Sequence, residues 1–393
     1  MSCLYNSTGY PIYNGKIFRG KDCYVFDGDG KAYLDLEAGV WCLALGHGHP
    51  RILSAMQEQM ERICHVGYKY NVEFVEEAAE KILEITGIST GKCVFLSSGS
   101  EAVEYGIKIA KMLRPGKKCL CLANQYFSAY GIGSDLSGSE WIRISWDYKE
   151  EKSLNEWLDL LSSTVDFREV GVFVFEAGNS GGLVKLPPFN LVCALNRKIR
   201  EANVLTVVDE ITCGTGRTGK WFGYMNYNIS PDIVAIGKGI GNGYPVSTIV
   251  MKEDLAENAL AAGFHYAQSH QNDPLGCRII LEVIRTIEDE DLLNKAAIMG
   301  EYFRSEYEKI KAHNSYIEEV RGIGLLNCIQ FSDKISPEQL AELDKLLFEN
   351  GVIVGMKPKE RILRTYAPLV IQEGMINSYM EILHSCLENL FCV

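Results

Sequence analysis

Short apolar runs alternate with segments of helical periodicity through the middle of the chain. The runs have the length and the Val/Ile content of buried strands, which we predict over Cys93–Ser97, Lys118–Leu122, Val170–Phe175, Leu205–Val208, Ile233–Ile236 and Ser247–Val250. Between them, apolar residues recur every three to four positions and predict helices over Glu101–Met112, Leu154–Ser162 and Leu191–Ala202. This alternation is typical of an α/β fold with a largely parallel central sheet.

The two ends of the chain have a different pattern. Tyr24–Asp35 contains an Asp-Gly-Asp-Gly turn between two strand-like runs, which predicts a β-hairpin. After about residue 285, long helical segments alternate with short apolar runs, and we predict a smaller α+β domain there. Its elements are expected at Asp291–Lys311, Gly324–Phe331, Pro337–Asn350 and Val352–Val354.

Composition narrows the class of protein. The chain has 393 residues, of which 47% are hydrophobic and 23% charged, as in an ordinary globular protein of two or three domains. A net charge of −12 without a clustered Lys/Arg stripe argues against a nucleic-acid or acidic-membrane partner. No apolar run approaches the roughly 18 residues of a membrane-spanning helix, and residues 1–20 lack the pattern of a signal peptide.

The cysteines indicate the compartment. There are 13 of them, scattered without CxxC spacing, so we expect reduced, buried thiols and no metal site. We therefore expect a cytoplasmic protein that acts on small molecules.

A lysine and an aspartate follow two of the predicted strands. Lys238 comes after Ile233–Ile236 and opens a glycine-rich turn, and Asp209 comes directly after Leu205–Val208. The carboxyl ends of parallel strands collect at one edge of a sheet, where ligands bind. Pyridoxal phosphate needs an amine that holds its aldehyde as a Schiff base and a carboxylate that keeps its ring nitrogen protonated. The pair therefore predicts a pyridoxal phosphate site.

A third strand end offers a place for a phosphate. The run Cys93–Ser97 leads into Ser98, Gly99 and Ser100 and then into a helix. Such a junction presents unpaired backbone N–H groups and the positive end of the helix dipole. By itself, Ser98 or Ser100 is more simply explained as an N-cap. Beside Lys238 and Asp209, the phosphate interpretation is the better one.

Motifs along nearly the whole chain resemble those of the class III (ω-aminotransferase, acetylornithine/ornithine aminotransferase-like) pyridoxal phosphate enzymes of fold type I. They occur in the order of that family at Tyr33–Asp35, Leu45–Pro50, Ser98–Ala102, Val208–Glu210, Gly216–Gly219, Gly237–Gly239, Gly243–Pro245, Arg321–Gly322 and Leu363–Leu369. The resemblance implies a large domain over 46–284 with a mainly parallel sheet. It also implies a small α+β domain formed by the N-terminal segment 1–45 and the C-terminal part 285–393.

The same resemblance assigns roles at the cofactor. It makes Lys238 the Schiff-base lysine and Asp209 the partner of the pyridine nitrogen, with Ser98, Gly99 and Ser100 at the phosphate. Three further positions match the family: Tyr126 would stack on the cofactor face, Thr212 replaces a glutamine that bonds the phenolic oxygen, and Ser269 would reach the phosphate of a neighbouring subunit. The last assignment implies a homodimer with its active site at the interface.

The resemblance also points to substrate-binding residues. Arg364 aligns with the arginine that holds the substrate α-carboxylate, a task that suits the planar guanidinium fork. Trp41 lies near the substrate pocket of the family, where it would favour an apolar or aromatic group. An aromatic residue in that stretch is equally consistent with the core of a dimer interface.

Two departures from the family concern the substrate. Tyr126 is followed by Phe127, Ser128 and Ala129, without the arginine that grips the distal end of acetylornithine, ornithine or γ-aminobutyrate in relatives. No acid follows Glu176 where ornithine-type relatives place a glutamate over the carboxylate-binding arginine. We therefore expect Arg364 to be uncovered and these three compounds to be poor candidates for the natural substrate.

The sequence thus predicts a pyridoxal phosphate-dependent aminotransferase. It would move an amino group between an amine or amino acid and a 2-keto acid, pyruvate or 2-oxoglutarate, with ping-pong kinetics. An amino-acid racemase or epimerase of the same family is the alternative, since an uncovered Arg364 and the missing arginine suit it equally well. A catalytically silent binding subunit is a third interpretation, against which the presence of Lys238 and Asp209 argues.

Overall fold

The central sheet carries the elements that position the site. The computed structural model describes residues 3, 5, 7, 8, 12, 13, 16–67, 69–178 and 181–391. The largest sheet within them has seven strands, in the spatial order β4 (Gly91–Leu96), β10 (Ser247–Lys252), β9 (Ile233–Ile236), β8 (Leu205–Glu210), β7 (Val170–Phe175), β5 (Lys118–Leu122) and β6 (Trp141–Ile144). Only β10 runs antiparallel to its neighbours, so the prediction of a largely parallel sheet is confirmed.

Helices cover the sheet, which explains why its inner strands are apolar on both faces. They are α2 (Pro50–Arg62), α3 (Glu73–Thr86), α4 (Gly99–Leu113), α5 (Leu154–Thr164), α6 (Phe189–Glu201), α7 (Glu253–Ala261) and α8 (Pro274–Asp289). Of these, α8 is buried along most of its length. In the part of the chain that the structure describes, no helix is both long and apolar enough to cross a membrane.

Segments from both ends of the chain form two smaller sheets. The predicted hairpin is confirmed as β2 and β3, and β13 joins β3 in parallel, in a sheet of β1 (Ile17–Lys21), β2 (Tyr24–Asp27), β3 (Ala32–Asp35) and β13 (Val352–Ile353). The other sheet is antiparallel and contains β11 (Ile317–Ile323), β12 (Leu326–Phe331), β15 (Ile362–Tyr366) and β14 (Gly355–Lys357). The helices α9 (Leu292–Ala312), α10 (Pro337–Glu349) and α11 (Glu373–Phe391) complete this part of the fold.

A single turn after β3, α1 (Ala38–Trp41), has an unusual backbone. Its four residues have φ of 46°, 57°, 59° and 70°, which is the left-handed region. For residues other than glycine this conformation costs about 1–2 kcal/mol each. The Asp35 carboxylate compensates by accepting the N–H groups of Glu37 and Gly39 at 3.0 and 2.9 Å, and His47 contacts it at 2.8 Å. The turn is therefore held in one conformation.

Candidate active site

Lys238 lies where the sequence predicted it, directly beyond β9. Its Nζ atom donates a hydrogen bond of 2.9 Å to Oγ1 of Thr212, which is buried. Removal from water lowers the pKa of Lys238, and the negative charge of Asp209 opposes that effect. The lysine is therefore closer to the neutral amine that a nucleophile or base requires than a lysine in water.

Asp209 lies on the neighbouring strand, at the same edge of the sheet. Strands β8 and β9 are parallel, with Asp209 opposite Ala235, so Asp209 and Lys238 both emerge at the carboxyl edge. One Asp209 oxygen accepts the N–H of Ile211 at 2.9 Å. Burial raises the pKa of Asp209 to about 7, while the Ile211 N–H and Lys238 favour the charged form. A cation placed against this carboxylate would hold it ionised.

The beginning of α4 forms a third side of the site. The Ser98 hydroxyl accepts the N–H of Glu101 at 3.2 Å, so it acts as the N-cap of this helix. The Ser100 hydroxyl accepts the N–H of Ala129 at 3.0 Å and thereby ties the Tyr126 loop to the helix. A Cβ atom on Gly99 would lie only 2.6 Å from Ile211, so only glycine lets the helix begin this close to the strand that carries Asp209.

Tyr126 and Ser269 lie at the solvent-exposed rim of the site. The Tyr126 side chain is 50% exposed. Ser269 is also exposed, on a loop that Gln268 ties to Ser97 at 3.3 Å and that Asn272 ties to Phe95 at 3.0 Å. The loop thus places Ser269 near the end of β4 and the beginning of α4.

The expectation that Arg364 is uncovered is wrong. Its guanidinium donates to both carboxylate oxygens of Glu37, with Nε–Oε1 and Nη2–Oε2 distances of 3.2 and 3.1 Å. Both side chains are largely buried, with exposures of 7% for Arg364 and 13% for Glu37. The acid comes from the segment before α1 and not from the loop after Glu176, where ornithine-type relatives carry one. Residues 179 and 180 of that loop lie outside the described residues.

Two glycines leave the space that this ion pair occupies. A Cβ atom on Gly182 would overlap Nη1 of Arg364, and Gly182 has a φ of +75°. A Cβ atom on Gly355, the residue opposite Arg364 on β14, would overlap Glu37 Oε1 and Arg364 Nε. A side chain at either position would displace the guanidinium.

Trp41 lies between the two cationic groups of the site. Its ring centroid is 4.9 Å from Lys238 Nζ and 4.7 Å from Arg364 Cζ, so both are within cation–π distance. The buried Arg217, for which no role was predicted, donates to the carbonyl oxygens of Trp41, Tyr366 and Ala367 at 2.8–3.2 Å. Arg217 thus fastens α1 to the end of β15 and fixes Trp41 beside Arg364.

These residues fit pyridoxal phosphate. A largely enclosed lysine with a lowered pKa could hold the aldehyde, and a buried carboxylate with a raised pKa is suited to a cationic ring nitrogen. The beginning of α4, kept open by Gly99, is suited to a phosphate. Together the fold and the site define a pyridoxal phosphate-dependent enzyme of fold type I.

Comparisons with known proteins agree with this class. The model of the family "Aminotransferase class-III" matches residues 6–128 and 136–387. The acetylornithine aminotransferase of Archaeoglobus fulgidus is 32% identical over 372 residues, which cover 93% of this chain and 94% of that protein. The alanine/serine racemase of Pyrococcus horikoshii is 27% identical over 426 residues, covering 98% of this chain and 88% of the racemase.

A solved structure shows the same fold. The acetylornithine aminotransferase of Elizabethkingia anophelis has a TM-score of 0.84 and 26% identity, and the match covers 98% of this chain and 96% of that one. The chain belongs to the class III aminotransferase family, which depends on pyridoxal phosphate, and its named homologues indicate a transaminase. The predicted fold class, cofactor and enzyme class are therefore confirmed.

Proposed function

We propose that Lys238, Asp209 and the beginning of α4 hold pyridoxal phosphate for the transfer of an amino group from an amine or amino acid to a 2-keto acid. One observation supports this most: three segments far apart in sequence meet at one edge of the sheet, and each offers the group that one part of the cofactor requires. In this proposal Tyr126 covers the cofactor face, and Thr212 bonds Lys238 or the phenolic oxygen.

The bound cofactor would accept the electrons of the bond that breaks at the substrate carbon and so act as an electron sink. Lys238 would hold the cofactor through Nζ and, as a free amine, would accept the proton from that carbon. Burial, which lowers the lysine pKa, increases the fraction of the amine able to accept that proton. Asp209 would hold the ring nitrogen of the cofactor through an ion pair, and its charge would support the electron sink.

Arg364 is proposed to bind the α-carboxylate of the keto acid, pyruvate or 2-oxoglutarate. Its planar fork would fix the orientation of the reacting carbon. The Trp41 ring beside it offers an apolar surface, which favours donors with an apolar or aromatic group. Since Ala129 stands where these relatives carry the arginine, acetylornithine, ornithine and γ-aminobutyrate remain less favoured donors.

We further propose a cytoplasmic homodimer in which Ser269 reaches the phosphate of the neighbouring subunit. Its exposed position beside the beginning of α4 supports a role across an interface. Light scattering of the purified protein would give the mass of a dimer, and Ser269→Ala would weaken the affinity for the cofactor. The free thiols among the described residues support a reducing compartment.

Racemisation is the second candidate, supported by the similarity to the alanine/serine racemase. Glu37 covers the guanidinium of Arg364, so an uncovered arginine does not favour racemisation here.

The test is a panel of amines and amino acids assayed with pyruvate or 2-oxoglutarate on protein loaded with pyridoxal phosphate. Transamination predicts a new amino acid from the acceptor and a keto compound from the donor, with parallel lines in double-reciprocal plots. D-alanine formed from L-alanine without a keto acid would favour the racemase, and neither reaction would favour a silent subunit.

A further inference from the structure

Two histidines and an aspartate meet at the loop of residues 268–272, the Ser269 loop, and have no role in the proposed reaction. His65 follows α2, His270 lies in the loop, and Asp273 is the N-cap of α8. One ligand atom from each of these side chains lies within 4.8 Å of the other two. Among the described residues, no other group of three His, Cys, Asp or Glu side chains is arranged in this way.

The distances among these atoms fit a transition-metal ion. Nδ1 of His65 and Nδ1 of His270 lie 3.1 and 3.8 Å from Oδ1 of Asp273. Two ligand atoms at about 2.1 Å from a tetrahedral ion are roughly 3.4 Å apart, so both distances are close to that spacing. The imidazole rings are in contact, with centroids 4.6 Å apart and planes tilted by 40°. Small side-chain rotations would therefore bring the three atoms around one ion.

The aspartate is held in the orientation that a metal ligand requires. Its other oxygen, Oδ2, accepts the N–H of Gly276 at 2.9 Å and the hydroxyl of Tyr244 at 3.0 Å. Ligating carboxylates are typically fixed by such outer hydrogen bonds. The Asp273 side chain is 8% exposed, whereas those of His65 and His270 are 33% and 60% exposed. Oδ1 is thus left for the two rings, at a place that an ion can reach from solvent.

A hydrogen-bonded pair explains only part of this cluster. The bond between the His65 ring and Oδ1 of Asp273 accounts for one histidine. Nδ1 of His270, at 3.8 Å, is too far from that oxygen for a hydrogen bond. Two imidazole nitrogens and a carboxylate oxygen are ligands that zinc accepts, whereas Mg²⁺ and Ca²⁺ prefer oxygen alone. The ligand set therefore favours Zn²⁺.

We propose that His65, His270 and Asp273 bind Zn²⁺, with a water molecule as the fourth ligand. The ion would clamp the Ser269 loop to the segment after α2, although His65 and Asp273 are 208 positions apart in the chain. The expectation of no metal site was drawn from the spacing of the cysteines, whereas this site uses histidines and a carboxylate. The metal site goes beyond the proposed function and does not depend on it.

The backbone at both histidines is already fixed nearby. Nε2 of Gln59 donates to the carbonyl oxygen of Ile63 at 2.7 Å, two residues before His65. Oε1 of Gln268 accepts the N–H of His270 at 2.7 Å. Binding of the ion would therefore order little additional backbone, which favours affinity.

The first test is a calorimetric titration of the chelator-treated holoenzyme with ZnCl₂. Wild type should bind one Zn²⁺ per chain at this site, and His65→Ala or His270→Ala should weaken binding by at least about tenfold. Asp273→Asn should do the same, and because asparagine is an equally good N-cap, the loss cannot be assigned to α8. The exposed His265 is the matched control, and His265→Ala should bind as wild type.

Exposed thiols are the main competitors for zinc, and Cys64 is next to His65. Cys64→Ser should keep the wild-type affinity. Zinc binding lost in Cys64→Ser and kept in His65→Ala and His270→Ala would place the metal on the thiol and overturn the proposal. Equal affinity in wild type and in all three ligand variants would overturn it as well.

Hydrogen exchange of the holoenzyme tests the clamp itself. Zn²⁺ should slow exchange of the backbone N–H groups of 63–67 and 268–272 by about tenfold in wild type. The same addition should leave His270→Ala and Asp273→Asn unchanged. Zinc bound without protection of either segment would refute the clamp.

The ion also bears on the cofactor, and this consequence rests on the proposed function of Ser269. A fixed loop presents the Ser269 hydroxyl to the neighbouring phosphate with less loss of entropy, so one equivalent of Zn²⁺ should lower the Kd of pyridoxal phosphate by about threefold. Ser269→Ala should abolish that difference. An unchanged Kd with zinc bound would refute the link to Ser269, and the metal site measured by calorimetry would stand.

Discussion

The two ends of the site are built in different ways. The cofactor end consists of residues at or just beyond the carboxyl ends of three strands of one sheet, with Asp209 near the end of β8, Lys238 after β9 and Gly99 after β4. The substrate end pairs Glu37 with Arg364, which are 327 positions apart and meet through segments from opposite ends of the chain. Under the proposed function, the chemistry belongs to the large sheet, whereas the choice of substrate depends on how the N-terminal turn meets the C-terminal strands.

The largest effect is expected at the cofactor end. Lys238→Ala should remove the visible absorbance of lysine-bound cofactor and slow the proton transfer by at least about 10²–10⁴-fold for every substrate. Multiple turnover at the wild-type rate would show that another group moves the proton. The exposed Lys220 offers a control, since Lys220→Ala should change neither quantity.

The next largest effect on the reaction is expected for Asp209→Asn. Asparagine can still accept the Ile211 N–H but cannot pair with a cationic ring, so both half-reactions should slow by well over tenfold, or roughly 1.4 kcal/mol in the barrier. Stopped-flow measurement of each half-reaction checks this. A smaller loss would mean that a different group maintains the ring charge.

Gly182→Ala should act on the substrate end alone. The new methyl group would displace the Arg364 guanidinium, so we expect KM for pyruvate to rise by about tenfold while the amine is less affected. Gly263→Ala is the matched control, because Gly263 has a similar φ of +83° but open space around it. Equal effects of the two substitutions would assign the loss to backbone strain.

A separate effect concerns stability and pH rather than catalysis. Burial raises the pKa of Asp209 from 3.8 to about 7, so between these values the folded cofactor-free protein keeps a proton that the unfolded chain releases. The free energy of unfolding should therefore fall as pH rises through this window.

Asp209→Asn should make that fall shallower, by up to about 1.4 kcal/mol per pH unit. Denaturant titrations at several pH values measure the difference. Identical slopes in the two proteins would show that Asp209 does not titrate in this range.

The sequence was informative where a structure depends on neighbours along the chain. The strands Lys118–Leu122, Val170–Phe175 and Ile233–Ile236 have the predicted bounds, because each is a continuous apolar run. The edge strand Trp141–Ile144 was missed, since it is short and carries an arginine. The turn Ala38–Trp41 was not predicted either, because its left-handed backbone depends on contacts with Asp35.

The substrate end was harder to predict because it depends on contacts between residues that are far apart in the sequence. Arg364 was found from its motif, but its partner Glu37 lies in no motif, and only the topology brings them together. Thr212 illustrates an intermediate case: the family resemblance indicated its position, and the structure adds that its hydroxyl accepts a hydrogen bond from Lys238.

The measurement that tests the division between the two ends most directly is the pair of half-reactions in Arg364→Ala. We predict a loss of about 2–4 kcal/mol for pyruvate, on the scale of breaking a buried charge-assisted pair, and little change for 1-phenylethylamine, which has no carboxylate. Equal losses for both substrates would show that Arg364 only supports the fold, and would contradict the assignment of substrate choice to this end of the site.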